Sequence, residues 1–382
     1  MSKKQLAALF ICSLVPWSAG NGLVPLLPVY ATQLGANSAV AGYYLAISYL
    51  AIASGAISAG WVSDRLKRRK LPLLIAGIVG IPAAWLMGQV HSILVLTILT
   101  AVLWFCGGMG LALIGILTSL SAGEHERGKV FGILALIGGL GGVIGGLGTG
   151  WLVESWGFTV MFTVLAAFLL LWPLSAVLLE DKELILHQVE NIPKQKRPGL
   201  GKNFYLLFFA NILSSITGFF IALIRSLEMN NQGFSSIEIA STGVVGSLIS
   251  MPLPLFMGWL SDRTGRKIFL YAGYTIAFSA LIMLAFSNAL WHFWIVFVLQ
   301  GIAMGNVGTI GNAVVTDLLP KEALGKGMSL FGATGWIGGV IGFAVAGFVL
   351  QNFGFTPTFI IGGVLSLGAI GLLTPITLRS RS

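Results

Sequence analysis

Arg225 and Glu228 are ionisable residues at the end of an apolar stretch that runs over about 203–226. Their spacing of three residues would place both side chains on one face of a helix. An arginine beside a carboxylic acid can hold an anionic group, and the acid can carry a proton whose release the arginine adjusts. The pair therefore predicts a ligand site linked to proton transfer. A local pair, with Arg225 extending to a polar interface, fits the same spacing.

A second set of candidate binding residues combines tryptophans and amides within apolar stretches. Tryptophan offers a large apolar surface, and an amide offers both donors and an acceptor. Together they would line an apolar cavity with few polar groups, which suits a small hydrophobic or amphipathic molecule. Each amide taken singly fits a hydrogen bond between neighbouring helices better than a ligand contact. These residues are Trp17, Asn21, Asn211, Gln300, Asn306 and Trp336.

Enzymatic and metal chemistry is not indicated by the sequence. The four histidines are scattered along the chain without metal-ligand spacing. Gly110 and Gly115 are not followed by the lysine and hydroxyl residue of a phosphate-binding loop. Cys12 and Cys106 lie in apolar stretches and predict neither a disulfide framework nor a metal site. We therefore expect no catalytic residue, no metal and no cofactor.

Long apolar stretches are the elements that must position the candidate residues. Of the 382 residues, 56% are hydrophobic and 9% are charged, whereas soluble globular proteins carry about 25% charged residues. A helix crosses a bilayer with about 20 apolar residues, and uninterrupted runs favour helices over barrel strands. The sequence predicts an all-α membrane protein with twelve transmembrane helices, at 5–32, 38–60, 71–90, 92–116, 129–152, 156–179, 203–226, 237–260, 268–288, 291–315, 327–350 and 355–378.

Lysine and arginine are confined to alternate loops of this arrangement. Of 22 such residues, 21 fall on one side of the membrane, and Arg225 is the exception. The positive-inside rule assigns that side to the cytoplasm, so both termini are expected there, in a bacterial inner membrane. The net charge of +9 reflects these topology signals. Nucleic-acid binding is not expected, because no basic patch is interleaved with aromatic residues.

The chain contains an internal repeat of about 198 residues. The segment Gly60–Arg65 reads Gly-Trp-Val-Ser-Asp-Arg and recurs, with one change, at Gly258–Arg263. The segment Gly141–Gly145 recurs unchanged at Gly338–Gly342. Each copy holds six spans and enters the membrane in the same direction, as in parallel repeats of carriers. We expect two pseudo-symmetric six-helix bundles, at 1–180 and 203–382, joined by a cytoplasmic linker at 181–202.

The loop after the second span of each repeat resembles the signature of the major facilitator superfamily, Gly-x-x-x-Asp-Arg-x-Gly-Arg-Arg/Lys. The second copy is complete, whereas the first has Lys67 in the place of its second glycine. The resemblance covers essentially the whole chain and implies that fold. It also implies a cytoplasmic gate, for which we take Gly60, Asp64, Arg65, Arg68, Gly258, Asp262, Arg263, Arg266 and Asp317.

The gate motif has a physical explanation. Its glycine allows two helices to approach, its aspartate can face a helix N-terminus, and its arginine can pair with an acid on an adjacent helix. Asp317 is the predicted partner of Arg263, and Arg65 is expected to use Glu124 or Glu126. The resemblance implies that these contacts lock the halves on the cytoplasmic side in the outward-facing state. A role limited to fixing topology fits the same charges.

Two further family signatures concern spans 5 and 4. Span 5 holds nine glycines between Gly132 and Gly150. This resembles the glycine signature of drug-antiporter branches, with Gly142 in the place of its proline, although small-residue packing explains it nearly as well. Trp104 occupies the place in span 4 where drug/proton antiporters usually carry an arginine.

The resemblance implies secondary transport by alternating access, with a site near the bilayer midplane between the halves. Within the family, proton-coupled efflux of small hydrophobic or amphipathic compounds is favoured. The expected partners are the small-molecule substrate, protons and the lipid bilayer, and the expected state is a monomer. A carrier of sugars or metabolites, a non-transporting membrane sensor and a lipid flippase are the alternatives.

Overall fold

The structure, a computed structural model, describes residues 2–66, 68–121, 127–181 and 199–377. All regular structure in these ranges is helical. The helices are α1 Lys3–Gln33, α2 Ser38–Leu66, α3 Lys70–Met87, α4 Ile93–Ser121, α5 Arg127–Leu169, α6 Leu171–Val177, α7 Gly201–Asn231, α8 Ser236–Ser250, α9 Leu253–Thr264, α10 Arg266–Ala285, α11 Leu290–Leu318, α12 Lys321–Phe353 and α13 Phe355–Leu373.

Apolar length marks the membrane-spanning part of the described chain. Ten helical segments in it are long and apolar enough to cross a bilayer, and Ser236–Ile249 is a shorter apolar helix. Large apolar side chains, among them Ile57, Leu94 and Val364, are exposed on these helices. Such exposure suits contact with lipid, where the helix satisfies its own backbone groups. The predicted all-α membrane class is confirmed.

Predicted spans 5 and 6 form a nearly continuous run in the structure. Within α5 only Gly157 departs from helical backbone, at φ 79° and ψ 176°, and α6 follows after Leu170. A positive φ of this kind is accessible to glycine at little steric cost because glycine has no Cβ. The turn predicted between 152 and 156 is therefore a single-residue break at Gly157.

Predicted span 8, at 237–260, is not one helix. It is divided into α8 and α9 at Ser250 to Pro252. Pro252 and Pro254 stand at the junction, and proline lacks the N–H that would continue the helical hydrogen-bond ladder. The apolar run predicts one continuous span, whereas the prolines divide it into two shorter helices.

The chain divides into two compact units. The first unit is Met1–Leu184 with Ser226–Leu248, and the second is Ile185–Arg225 with Ile249–Ser382. The boundary between them crosses α7 after Arg225. The division into halves at 1–180 and 203–382 follows from the repeat and stays a prediction.

In the first unit, glycines bring α5 directly against α1. A Cβ on Gly22 would lie 2.6 Å from the carbonyl oxygen of Gly145, and a Cβ on Gly145 would overlap the carbonyl oxygen of Ser18. Thr149 Oγ1 donates to the carbonyl of Gly22 at 3.1 Å. These helices approach to backbone contact, which is the packing that small residues permit in a membrane.

A second face of α5 meets the start of α8 in the same unit. Cβ atoms on Gly146 and Gly150 would lie 2.7 Å from the side chains of Val244 and Ala240. The Glu154 carboxylate accepts the backbone N–H of Ser236 at 3.0 Å and so caps α8. The glycines of span 5 thus serve two helix interfaces at once.

In the second unit, aromatic and branched side chains of five helices form a buried core. Phe204 of α7, Tyr274 of α10, Ile310 of α11 and Phe331 of α12 belong to it and are almost fully buried. Ala369 of α13 completes the set of contributing helices. This core holds the helices that surround the cavity described below.

The internal repeat is visible in the backbone of both copies. Gly35 and Gly233 have φ values of 84° and 82°, and Gly157 and Gly354 have φ values of 79° and 80°. In each pair the two glycines are separated by the repeat length. Equivalent turns therefore follow span 1 and span 7, and span 5 and span 11.

Two lysines repeat the same capping contact. Lys70 at the start of α3 donates to the carbonyl of Val177 at the end of α6. Lys267 at the start of α10 donates to the carbonyl of Thr374, after α13, at 2.9 Å. A cation at a helix C-terminus neutralises the partial negative charge of its unpaired carbonyl groups.

Candidate functional site

A cavity of about 280 Å³ lies in the second unit. Its lining comes from α7, α10, α11 and α12. Ile221, Ala303, Met304 and Phe331 supply apolar surface. The volume is at the lower end of small-molecule sites, which favours a small ligand.

Neutral polar groups provide the directional contacts of this cavity. Asn211 Nδ2 donates to Thr334 Oγ1 at 2.5 Å, and both residues belong to the lining. Gln300 Nε2 donates to the carbonyl of Gly218 at 2.6 Å, and both of these also line the cavity. None of the lining residues within the described part of the chain is ionisable. A ligand would therefore meet amide and hydroxyl groups in largely apolar walls.

Arg225 lies next to this cavity and is the last residue that α7 contributes to the second unit. Its side chain is 1% exposed, so it does not extend to a polar interface. Nη1 donates to Gln300 Oε1 at 3.5 Å, and the guanidinium carbon lies 4.1 Å from the centre of the Phe297 ring. Nε has no hydrogen-bond partner. Among the described residues of this unit, no carboxylate lies within 4 Å of the guanidinium.

Glu228 is half-buried, one turn further along α7, and accepts a hydrogen bond from Gln232 Nε2 at 2.8 Å. Arg225 and Glu228 thus lie on one helix, as predicted, but their side chains contact different residues. The spacing alone could not reveal the partners, because Gln300 and Phe297 come from α11.

The other predicted cavity residues have separate positions. Trp17 is 42% exposed on α1, and Asn21 donates to the carbonyl of Gly138 on α5 at 3.1 Å, both within the first unit. Asn306 is buried and donates to the carbonyl of Phe269 at 2.5 Å, away from the cavity lining. Trp336 is half-buried on α12 beside the lining residue Gly335.

In the second gate motif, Asp317 pairs with a different arginine from the one predicted. Arg266 Nη1 lies 2.7 Å from Asp317 Oδ2 and also 2.7 Å from the carbonyl oxygen of Ala313. Arg263 instead places its guanidinium 4.0 Å from the Trp259 ring centre. The prediction of an Arg263–Asp317 pair is therefore wrong. Gly265, at φ 97°, ends α9 and begins α10, and this turn carries Arg266 to α11.

The first gate motif shows the same stacking. Arg65 lies 5.2 Å from the centre of the Trp61 ring, and Arg68 is exposed. Arg69 is buried, and its backbone N–H donates to Asp181 Oδ2 at 2.6 Å. The Asp181 carboxylate thus caps the first turn of α3.

The remaining gate predictions are only partly described. Gly60 and Asp64 lie in α2, and Gly258 and Asp262 lie in α9. The acids proposed for Arg65, Glu124 and Glu126, lie outside the described residues.

The pair formed by Arg266 and Asp317 has a measurable consequence. We expect Asp317→Asn to lower the free energy of unfolding by about 1–2 kcal/mol, because a largely buried guanidinium loses its charged acceptor. Thermal unfolding of the purified protein would measure the loss. Glu322→Gln is the control, since it removes the same charge from an exposed side chain in the first turn of α12. Equal stability of the two variants would contradict the assigned pairing.

Sequence reasoning missed part of the cavity lining. Thr334, Ser214 and Ser215 line it together with Asn312. The signal available was a run of hydroxyl residues on the same stretch as Asn211, but hydroxyl groups in helices commonly bond to their own backbone. Only the approach of α7 to α12 distinguishes Thr334 as a partner of Asn211.

A helical membrane protein with this repeat and an internal cavity belongs to the class of membrane carriers. The family model of the Major Facilitator Superfamily matches residues 9–203 and 207–381. The chain belongs to this family, and it is a transporter rather than an enzyme. The predicted all-α major facilitator fold is confirmed.

Curated relatives of the chain are multidrug resistance proteins. MdtG of Enterobacter lignolyticus is 28% identical over 381 residues, which cover 96% of this chain and 90% of that protein. MdtG of Salmonella typhimurium is 26% identical over 385 residues, which cover 96% of this chain and 94% of that protein.

Solved structures with the same fold are more distant in sequence. A POT family transporter in complex with 5-aminolevulinic acid matches with a TM-score of 0.78 at 13% identity, over 96% of this chain and 94% of that one. A bacterial homologue of the human lysosomal transporter Spinster, inward-facing and unoccupied, matches with a TM-score of 0.71 at 14% identity, over 98% and 95%. At these identities the likeness concerns the fold alone.

Proposed function

We propose that this transporter exports small hydrophobic or amphipathic compounds by alternating access, in exchange for protons. The observation that carries the proposal is the cavity of the second unit, with apolar walls and a few neutral polar groups. Such a lining suits molecules that are transferred from lipid or bound mainly by apolar area. The names of the relatives, multidrug resistance proteins, support the same substrate class.

Glu228 is the proton carrier in this proposal. It is half-buried near the end of α7, in the same helix as the cavity residues Asn211 and Gly218. Gln232 holds its carboxylate in place through a hydrogen bond of 2.8 Å. The position in span 4 that carries an arginine in many antiporters holds Trp104. Its side chain is buried, and its ring centre lies 5.5 Å from that of Tyr49. Proton coupling would therefore rely on the second half of the chain.

The two gate motifs complete the proposed cycle on the cytoplasmic side. Positive residues in the loops support cytoplasmic termini in a bacterial inner membrane. The Arg266–Asp317 pair would hold the inner ends of α10 and α11 together while the gate moves. We propose that the monomer performs the whole cycle.

Transport in proteoliposomes with an imposed pH gradient tests the function. We expect an amphipathic dye to move against the proton flow, and we expect Glu228→Gln to abolish the dependence on the gradient. Glu322→Gln is the matched control and should transport like the unchanged protein. Exchange of metabolites without a gradient, together with no dye movement, would contradict the proposal. Unchanged pH dependence in Glu228→Gln would remove Glu228 from it.

A further inference from the structure

Arg225 brings a positive charge to the cavity of the second unit, and no carboxylate of the described residues pairs with it. We propose that this charge makes the cavity selective for amphipathic ligands that carry an acidic group, and that Gln300 is the residue that contacts that group. The inference rests on the proposed function, since it names the ligand class of the proposed substrate cavity. It goes beyond that function by predicting which amphipathic molecules are bound and which are not.

The helix geometry directs Arg225 towards the cavity side of α7. Gly218 and Ile221 line the cavity, and they precede Arg225 by seven and four residues. Residues at these spacings lie on one face of an α-helix. Arg225 therefore continues the cavity wall by one further turn.

Gln300 connects the guanidinium to the cavity. Its Oε1 faces Arg225 Nη1 at 3.5 Å, and its Nε2 faces the Gly218 carbonyl at 2.6 Å. These two contacts fix the orientation of the amide, because one neighbour is a donor and the other is an acceptor. A primary amide has two N–H groups, so one donor remains for a ligand. Gln300 itself belongs to the lining, where a ligand can reach it.

Phe297 holds the charge in place without neutralising it. Its ring centre lies 4.1 Å from the guanidinium carbon, and Phe297 precedes Gln300 by one turn of α11. A cation above an aromatic face is attracted to it but keeps its full charge. Nε is also unpartnered and the side chain is 1% exposed, and no carboxylate of the described residues forms an ion pair with this guanidinium.

The neutral lining leaves the counter-charge to the ligand. None of the described residues that line the cavity carries an ionisable side chain, so they do not compensate the field of Arg225 there. An acidic group beside Gln300 would gain from that field, whereas a cationic group would be repelled. The apolar lining, including Ile221 and Phe331, would take the remainder of the molecule.

Two probes with the same aromatic skeleton separate charge from apolar fit. Anilinonaphthalene sulfonate carries a negative charge, and phenylnaphthylamine is its neutral counterpart. Equilibrium dialysis against the purified full chain in lipid nanodiscs, with empty nanodiscs as the blank, gives the affinity of each probe without any transport step. We expect the anionic probe to bind about tenfold more tightly than the neutral one after the blank is subtracted.

Three variants assign that preference to the charge and to this cavity. Arg225→Gln should weaken the anionic probe about tenfold and change the neutral probe less than about twofold. Arg225→Lys keeps the charge and should retain the preference. Gly335→Leu should weaken both probes, since Gly335 lines the cavity and has open space where a side chain would begin.

The outcomes separate this inference from the proposed function. Equal affinities of the two probes, or an unchanged preference in Arg225→Gln, would overturn the inference. Failure of both probes to bind, while the protein still exports other dyes in proteoliposomes, would also overturn it and leave the export function standing. If Arg225→Gln does not fold, Arg225→Met takes its place, where a lost preference supports the inference and an unchanged preference overturns it. An unchanged preference in Gln300→Leu would overturn the contact assigned to Gln300.

Discussion

Gly145→Ala is expected to destabilise the protein by about 3 kcal/mol, because its new Cβ would overlap the backbone carbonyl of Ser18. The same atom would lie 2.9 Å from the backbone nitrogen of Gly22. Neither contact can be relieved by turning a side chain, so α1 and α5 must separate. Thermal unfolding of the purified variant, followed by tryptophan fluorescence, would measure the loss.

Gly148→Ala is the matched control for this prediction. Gly148 lies in the same helix, three residues further on, and a Cβ there would meet no heavy atom within 4 Å. Alanine favours helix by about 0.5–1 kcal/mol over glycine, so this variant should be as stable as the unchanged protein or slightly more so. Similar losses in both variants would mean that backbone freedom, rather than helix contact, explains the glycines.

Arg225→Met is expected to raise the free energy of unfolding by about 1–4 kcal/mol. Burying a guanidinium without a carboxylate carries a desolvation penalty of several kcal/mol, which the long hydrogen bond to Gln300 and the Phe297 ring offset only in part. Methionine has similar length, is apolar and adapts to the space. The variant should unfold at a higher temperature while losing its preference for acidic ligands.

Arg263→Met isolates the effect of burial. Arg225 and Arg263 both stack on an aromatic ring, at 4.1 and 4.0 Å, but Arg263 is exposed. Its replacement should change stability by less than about 1 kcal/mol, since an exposed cation loses little on desolvation. A larger loss of stability in Arg225→Met than in Arg263→Met would contradict the prediction. It would mean that contacts in the folded protein compensate the charge of the buried guanidinium.

The gate motifs illustrate how far a repeated sequence can predict contacts. The copies at Gly60–Arg65 and Gly258–Arg263 were recognised from residue identity, and both arginines stack on the tryptophan four residues before them. The partner of Asp317 was assigned wrongly, because Arg263 and Arg266 are both compatible with the motif. The turn at Gly265, where the chain passes from α9 to α10, determines that Arg266 faces Asp317.

The cavity candidates show a different limit. Asn211 and Gln300 are predicted cavity residues because they are amides in apolar stretches, and the structure brings them into one lining. Asn306 is predicted for the same reason, yet it donates to the Phe269 carbonyl and is not part of the lining. Residue type does not distinguish the two roles, since an amide in a membrane satisfies either a neighbouring helix or a ligand.

The sequence by itself determined that this chain is a helical membrane protein with two related halves. Apolar length is sufficient for the helical membrane class, because a lipid solvent permits few alternatives to a helix. The segments that recur about 198 residues apart indicate the two related halves. The sequence also identified Arg225 as an ionisable residue in an apolar stretch. Only the tertiary structure decided that Arg225 meets Gln300 and Phe297, because both come from a helix about 70 residues away in the chain. Which side chains meet depends on helix rotation and approach, and these follow from the packing of small residues that the apolar pattern does not specify.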